Sequence, residues 1–324
     1  MMPESDYALE LHGIRKVYRG GIEALAGMSL RVPRGCLYGL LGPNGAGKST
    51  LVKILTTLIR RTGGSGTMLG RPIGDRRALQ RIGLLPEHAR FPDYLTGRQV
   101  IEFSAGLQDV GASETRERTG RLLDLVGMSG AADRKVRGYS KGMKQRIGIA
   151  QALVNDPEIV FLDEPTDGVD PEGRRDFRLL MKQLREEGRT VFINTHILSE
   201  LEPIVDRVAI ISQGRLLGEG QLDDLRTEKP GYRIEFEGQL PSELVVALQA
   251  EGGEIGPGFV AMETSRVGDI QALIDRLRAG QVVISGIQRK TQSLEDLFMG
   301  LVDSSVARSR SSSPSIPTPF SPKS

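Results

Sequence analysis

The sequence is poorest in cysteine: one in 324 residues, Cys36. A lone thiol builds neither a disulfide framework nor a thiolate metal site, and its place inside an apolar run points to a buried residue of a reducing cytoplasm. Histidine is nearly as scarce, with His12, His88 and His196 the full set. His12 and His88 have no partners at metal or triad spacing and read as solvated. Long apolar runs are missing too: none approaches the roughly 18 residues that would cross a bilayer, so the chain is expected not to span a membrane alone. The N-terminal segment carries Glu4 and Asp6 where a signal peptide would be basic and then apolar, and no such peptide is expected. Nor is there an excess of one charge. The net charge of +2 gives no global case for a nucleic-acid partner, which needs a concentrated basic surface. What remains is an ordinary composition, 39% hydrophobic, sufficient for the core of one large or two smaller domains.

Residues 7–34 mix short alternating stretches with turns, as an antiparallel edge sheet does. Apolar runs at 36–41, 158–162, 190–194 and 208–211 read as buried strands of a parallel βαβ core, and 51–59 carries apolar residues at helical spacing. Between about 93 and 154 the pattern turns helical. Thr96-x-x-Gln99 forms a capping-box pattern, and Ser113 is placed to cap a helix ending near Gly127. After Lys229-Pro230-Gly231 the texture resets into a small α/β appendage. Strands are expected at 232–236, 259–263 and 282–287, with helices at 242–250, 269–279 and 294–302. From Asp303 the chain is Ser- and Pro-rich, with Arg308, Arg310 and Lys323 against one acid, and is expected to be a disordered, weakly basic tail. The domains expected are therefore 7–228, containing a helical subdomain at about 93–154, then 229–302, then the tail at 303–324.

The richest segment is Gly42-Pro43-Asn44-Gly45-Ala46-Gly47-Lys48-Ser49-Thr50, which fits G-x-x-x-x-G-K-[ST] between an apolar strand and a helix. Glycines without Cβ let backbone N–H groups converge on phosphate oxygens, and the helix adds its positive end. In this pattern Lys48 reaches the β- and γ-phosphates and Ser49 an Mg²⁺ ion. A second constellation follows the strand at 159–162. Asp163-Glu164-Pro165 sets two carboxylates at the carboxyl end of a central strand, where ligands of open α/β sheets bind. Asp163 would hold the metal shell, and Glu164 would polarise a water for attack on the γ-phosphate.

Between these two stands Tyr139-Ser140-Lys141-Gly142-Met143-Lys144-Gln145-Arg146, and in this order the motifs resemble the ATPase subunit of ATP-binding-cassette (ABC) transporters, over roughly residues 9–226. The resemblance makes Tyr18 the adenine-stacking aromatic, 42–50 the Walker A loop and 82–87 the Q-loop. Ser140-Lys141-Gly142 takes the place of the signature and 159–164 that of the Walker B strand. Asp167-Gly168-Val169-Asp170 is similar to the D-loop and Thr195-His196 to the switch histidine. Two positions depart from the usual pattern: Glu87 stands where the Q-loop has Gln, and Tyr139, Lys141 and Met143 replace Leu, Gly and Gln of Leu-Ser-Gly-Gly-Gln.

The fold implied is a P-loop α/β core with antiparallel edge sheet and helical subdomain. The activity implied is Mg²⁺-dependent ATP hydrolysis, with Glu164, His196 and Glu87 at the chemistry. Ser49, Asp163 and Glu87 would hold the metal, and Tyr18, residues 42–50, Ser140, Gly142 and Asp170 the nucleotide. Two such chains, identical ones by expectation, would enclose two ATP molecules, each between one Walker A and the other's signature. The pair would sit on the inner face of the cell membrane through a separate permease contacted around 87–100. The segment ending Ser293-Leu294-Glu295-Asp296-Leu297-Phe298 looks like the branch serving ABC-2 exporters of drugs, lipids or polysaccharides. A soluble ABC ATPase acting on nucleic acid or ribosomes is the competing reading. Those proteins usually carry two cassettes or a long coiled-coil insertion, and neither is visible. A GTPase would need a guanine-reading Asn-Lys-x-Asp, which is missing.

Overall fold

The computed structural model describes residues 6–225, 231–264, 266–290 and 297–300. Strands β1 (Tyr7–Val17) and β2 (Glu23–Pro33) pair antiparallel across a turn in which Gly20 and Gly21 both take positive φ. Along β2, Met28, Leu30 and Val32 are buried while Gly27, Ser29 and Arg31 are exposed, the period-2 pattern of a half-covered strand. β3 (Leu37–Leu41) is buried throughout and hands over to α1 (Lys48–Leu55). The apolar spacing predicts a helix continuing to Ile59, but it stops at Leu55. Thr56 Oγ1 donates to the Val52 carbonyl at 2.8 Å, and Thr57 turns to φ 62. β4 (Gly63–Met68) returns antiparallel to β1, and β5 (Arg71–Pro72) pairs with β4, giving the sheet order β2-β1-β4-β5.

The short helix α2 (Arg76–Leu79), capped by Asp75, precedes β6 (Ile82–Leu85). The helical subdomain comprises α3 (Gly97–Leu107), α4 (Ala112–Leu125) and α5 (Lys141–Leu153). Thr96 and Gln99 form the full reciprocal capping box of α3. Ser113 does not cap α4. The helix begins one residue earlier, with Gly111 at the N-cap and no side-chain hydrogen bond, so Ser113 lies inside the first turn.

β7 (Ile159–Asp163), α6 (Pro171–Glu186), β8 (Thr190–Thr195), α7 (Leu198–Leu201), β9 (Arg207–Ser212) and β10 (Arg215–Gln221) complete this part of the chain, followed by α8 (Leu222–Leu225). The central sheet runs β10-β9-β3-β8-β7-β6, parallel except for β10. Its middle strands are buried on both faces, which explains their unbroken apolar runs. Tyr38 stacks on Phe192 at 5.4 Å between centroids, and Phe161 meets the same ring at 5.5 Å. The α/β core, antiparallel edge sheet and helical subdomain expected from the sequence are all present.

The chain divides into two compact units, the second at Asp223–Met299. Here β11 (Gly231–Glu237), α9 (Ser242–Ala250), β12 (Glu254–Gly256), β13 (Phe259–Glu263), α10 (Val267–Ala279) and β14 (Val283–Lys290) form an antiparallel sheet of order β12-β13-β11-β14. Ile234, Phe236 and Val260 of the sheet share a core with Leu248 of α9 and Leu273 and Leu277 of α10. β12 was not anticipated from sequence. The boundary expected at 228/229, most of the helix at 294–302 and the tail from 303 lie outside the described residues.

Thr96→Ala removes a hydrogen-bonded cap and is expected to cost about 1 kcal/mol, or roughly 2–4 °C in Tm for a domain of this size. Ser113→Ala should stay within about 0.5 kcal/mol. Thermal unfolding of the two variants checks this, and the reverse ranking would return the cap to Ser113.

Candidate functional site

β3 lies between β8 and β9, so the carboxyl ends of β3, β7 and β8 open side by side on one edge of the sheet. The phosphate loop leaves β3 there. Gly47, the N-cap of α1, takes φ 107, and a Cβ on it would lie 2.5 Å from the Ala24 carbonyl oxygen. A Cβ on Gly42 would meet the Ile211 carbonyl oxygen at 2.5 Å. No side chain therefore fits at either end of the loop, and no side chain caps α1, so its first N–H groups face the opening. Lys48 Nζ donates to the carbonyls of Gly42 at 2.7 Å and Pro43 at 3.3 Å.

The pocket formed has a volume of about 250 Å³ and is lined by the loop from Asn44 to Thr50 together with Ala24, Glu87 and Glu164. Behind it, Asp163 Oδ1 accepts from Ser49 Oγ at 3.2 Å and from Asn194 Nδ2 at 3.1 Å. Burial raises the Asp163 carboxyl above its ordinary range, with Glu87 and Glu164 adding to the rise and the hydrogen bonds from Asn194 and Ser49 opposing it. Glu164 follows at φ 50, a conformation uncommon for a residue with a side chain. One carboxylate oxygen lies 3.6 Å from Lys48 Nζ and the other 2.9 Å from His196 Nδ1, with the lysine and glutamate side chains only 6% and 8% exposed.

Tyr18 sits just past β1 with its hydroxyl 3.4 Å from Thr50 Oγ1 and Lys16 Nζ 5.0 Å from its ring centre. Glu87 stands on the pocket rim, its side chain 45% exposed and 3.7 Å from His88 Nε2. Of the cationic residues near Tyr18, Arg15 pairs with Glu23 at 2.6 Å and Lys16 also donates to the Arg60 carbonyl.

Ser140, Gly142 and Asp170 do not line this pocket. Ser140 caps α5, accepting from Met143 N at 3.2 Å, and Asp170 caps α6, accepting from Gly173 N at 2.7 Å. Within one chain, then, the two halves of the expected nucleotide site stay apart. Two residues were missed by the sequence reading. Asn194 falls in a run that reads as an apolar strand, although a polar residue inside a fully buried run is itself a signal. Gln145, on α5, has no sequence signal beyond its place one turn after Lys141.

The ABC transporter family profile matches residues 25–167. An uncharacterized ABC transporter ATP-binding protein of Synechocystis sp. is 42% identical over 301 residues, 90% of this chain and 83% of the relative. The chain belongs to the ATP-binding subunits of ABC transporters. The daunorubicin resistance ATP-binding protein DrrA3 of Streptomyces coeruleorubidus is 37% identical, covering 91% of this chain and 92% of its own length. Among solved structures, a dimeric ATP-binding cassette in a post-hydrolysis state with ADP and Pi aligns at a TM-score of 0.61 and 27% identity, over 66% of this chain and 98% of that one. The fold is thus the P-loop ABC cassette, and the phosphate loop, the Asp163–Glu164 pair and His196 lie at one edge of its central sheet. No helix among the described residues is long and apolar enough to cross a membrane.

Gly47→Ala tests the cradle directly. With φ 107 and a carbonyl oxygen 2.5 Å from the new methyl group, the loop must move. Nucleotide affinity by calorimetry should fall at least about tenfold while the far-ultraviolet spectrum is kept. Unchanged affinity would show that the loop adapts.

Proposed function

We propose that this chain is the ATP-hydrolysing subunit of an exporter, dimerising around two nucleotides to drive a separate transmembrane permease. The observation that carries the reading is the Glu164 carboxylate, held between Lys48 and His196 at the mouth of the phosphate loop. Glu164 is the base that takes a proton from the attacking water. His196, bonded to the same carboxylate, orients it and senses the γ-phosphate. Lys48 leaves the loop carbonyls for the β- and γ-phosphates, and Tyr18 stacks on the adenine. Such a geometry prepays the orientation of water and phosphate, and a positioned base contributes about 10²–10⁴-fold to the rate.

The donor set fits magnesium. Ser49 Oγ and Asp163 Oδ1 converge at 3.2 Å, Asn194 Oδ1 beside them is buried with no hydrogen-bond partner, and no group of three His, Cys, Asp or Glu at metal spacing occurs among the described residues. Magnesium is held by one or two protein oxygens with phosphates and waters, not by a protein cage. When bound, it would neutralise charge on the β- and γ-phosphates. Ser49 and Asp163 would hold it, together with Glu87, which lines the same pocket.

Separation of Ser140 and Gly142 from the chain's own pocket supports a head-to-tail pair in which each signature completes the other chain's site. The dimeric cassette among its structural neighbours supports the same assembly. Relatives named for daunorubicin resistance support export through an ABC-2 type permease, docked around residues 87–100 at the inner face of the membrane. Residues 7–228 form the cassette in this reading, 229–302 an accessory domain and 303–324 a tail.

Glu164→Gln should bind ATP normally, hydrolyse it at least about 10²-fold more slowly and accumulate as a nucleotide-bound dimer on size exclusion. Lys48→Ala should instead lose ATP affinity. Near-normal turnover of Glu164→Gln would remove the base assignment.

Glu87→Gln is expected to shift the Mg²⁺ concentration needed for half-maximal hydrolysis while Mg²⁺-free nucleotide affinity stays within about twofold, and Glu87→Ala should be worse. Magnesium titrations of both variants that overlay the parent would confine Glu87 to contact with the permease.

A further inference from the structure

Glu164 keeps its left-handed backbone, φ 50, only because its surroundings hold it there. Its N–H donates to the Asn194 carbonyl at 2.9 Å. Its carbonyl accepts from Asp167 N at 3.2 Å, closing a turn over 164–167, and from Gln145 Nε2, also at 3.2 Å. Gln145 is buried and belongs to α5, the helix that begins at the signature. Four residues earlier, on the same face of that helix, Lys141 Nζ meets Asp167 Oδ2 at 2.6 Å and holds the Asp167 carboxyl below the usual carboxylate range. One helix face thus grips both ends of the turn that carries Glu164. The glycine usual at position 141 could make no such contact.

The packing around this grip is incomplete. A cavity of about 290 Å³ lies between α5 and α6, lined among others by Gly142, Gln145, Arg146, Val169, Gly173 and Phe177. Farther along, α5 is tied by Arg146 to Asp176 at 2.8 Å and by Gln151 to the Leu84 carbonyl at 2.9 Å. Close-packed interiors transmit a displacement through many contacts at once. At the start of α5, beside the cavity, two polar contacts reach the turn, from Gln145 to the Glu164 carbonyl and from Lys141 to Asp167.

We propose that Gln145 and Lys141 are positioning residues, a clamp by which the signature helix sets the backbone, and through it the carboxylate, of Glu164 in the same chain. Contact made at Ser140 and Gly142 by the other chain's nucleotide is passed along one helical turn to this chain's own base. The inference rests on the reading of Glu164 as the base and of two chains paired head to tail.

The test compares full-length Gln145→Met, Lys141→Met and Lys141→Arg with the parent. Methionine at 145 keeps the length and apolar stem and removes the donor. Its kcat for ATP should fall about three- to tenfold, the loss of one hydrogen bond's worth of orientation, with nucleotide affinity within about twofold. Lys141→Met should show a smaller loss of the same kind, Lys141→Arg should restore turnover, and the double variant should lose less than the product of the two single effects. Parental kcat in Gln145→Met, or an equal loss of ATP affinity, overturns the clamp. Should Gln145→Met fail to fold, Lys141→Met, at an exposed position, decides alone: parental turnover there overturns the proposal. Glu164→Gln run beside them separates the two readings. If it turns over normally the base assignment falls, whereas if it is inactive while both Met variants match the parent, only the clamp falls.

Discussion

A carboxylate nearly closed to solvent has to be held by cations or hydrogen bonds, and at Glu164 that requirement organises the cassette. Leaving such a charge unpaired in so enclosed a place is costly. Lys48 and His196 meet it from opposite sides, yet they lie more than a hundred residues apart in sequence. They can do so only because β3, β8 and β7 are consecutive in the sheet. Strand order, not local preference, brings the ammonium at the start of α1, the carboxylate after β7 and the imidazole after β8 to one edge.

The register of those strands is equally constrained. Asp163 pairs with Asn194 across β7 and β8, and that pairing puts the amide on the carboxylate that also receives Ser49. A slip by one residue would send Asn194 to the other face of the sheet. The stacked Tyr38 and Phe192 rings and the buried runs around them hold the register through packing, so the polar cluster need not supply the stability that places it.

Residues at the amino ends of α5 and α6 have two tasks. Ser140 and Asp170 satisfy helix N–H groups within their own chain. In the proposed pair those same helix ends face the neighbouring nucleotide, so the elements that recognise the partner are already rigid. A loop without caps would have to be ordered on contact, which costs binding free energy. The proposed clamp through Gln145 and Lys141 uses this rigidity, because only a stiff helix end can pass a contact at Ser140 to the turn behind it.

Much of the site could be read directly along the chain. The phosphate loop is contiguous, each of its residue types has a local physical reason, and the apolar strands announce themselves because both faces are buried. The Thr96–Gln99 box is local in the same way. Ser113 and the end of α1 were misread since a glycine N-cap leaves no side-chain signature, and since Thr57 ends its helix through a backbone angle that apolar spacing does not encode. Asn194 and Gln145 were missed because their importance lies in what they touch, Asp163 and the Glu164 carbonyl, and neither contact is near in sequence. The sequence by itself therefore determined the chemistry available, namely the phosphate cradle, the paired acids and the histidine, all carried by short contiguous patterns. The tertiary structure decided which of those groups meet. Only the sheet order closes Lys48 and His196 on Glu164, and only the packing of α5 keeps the signature away from the pocket of its own chain.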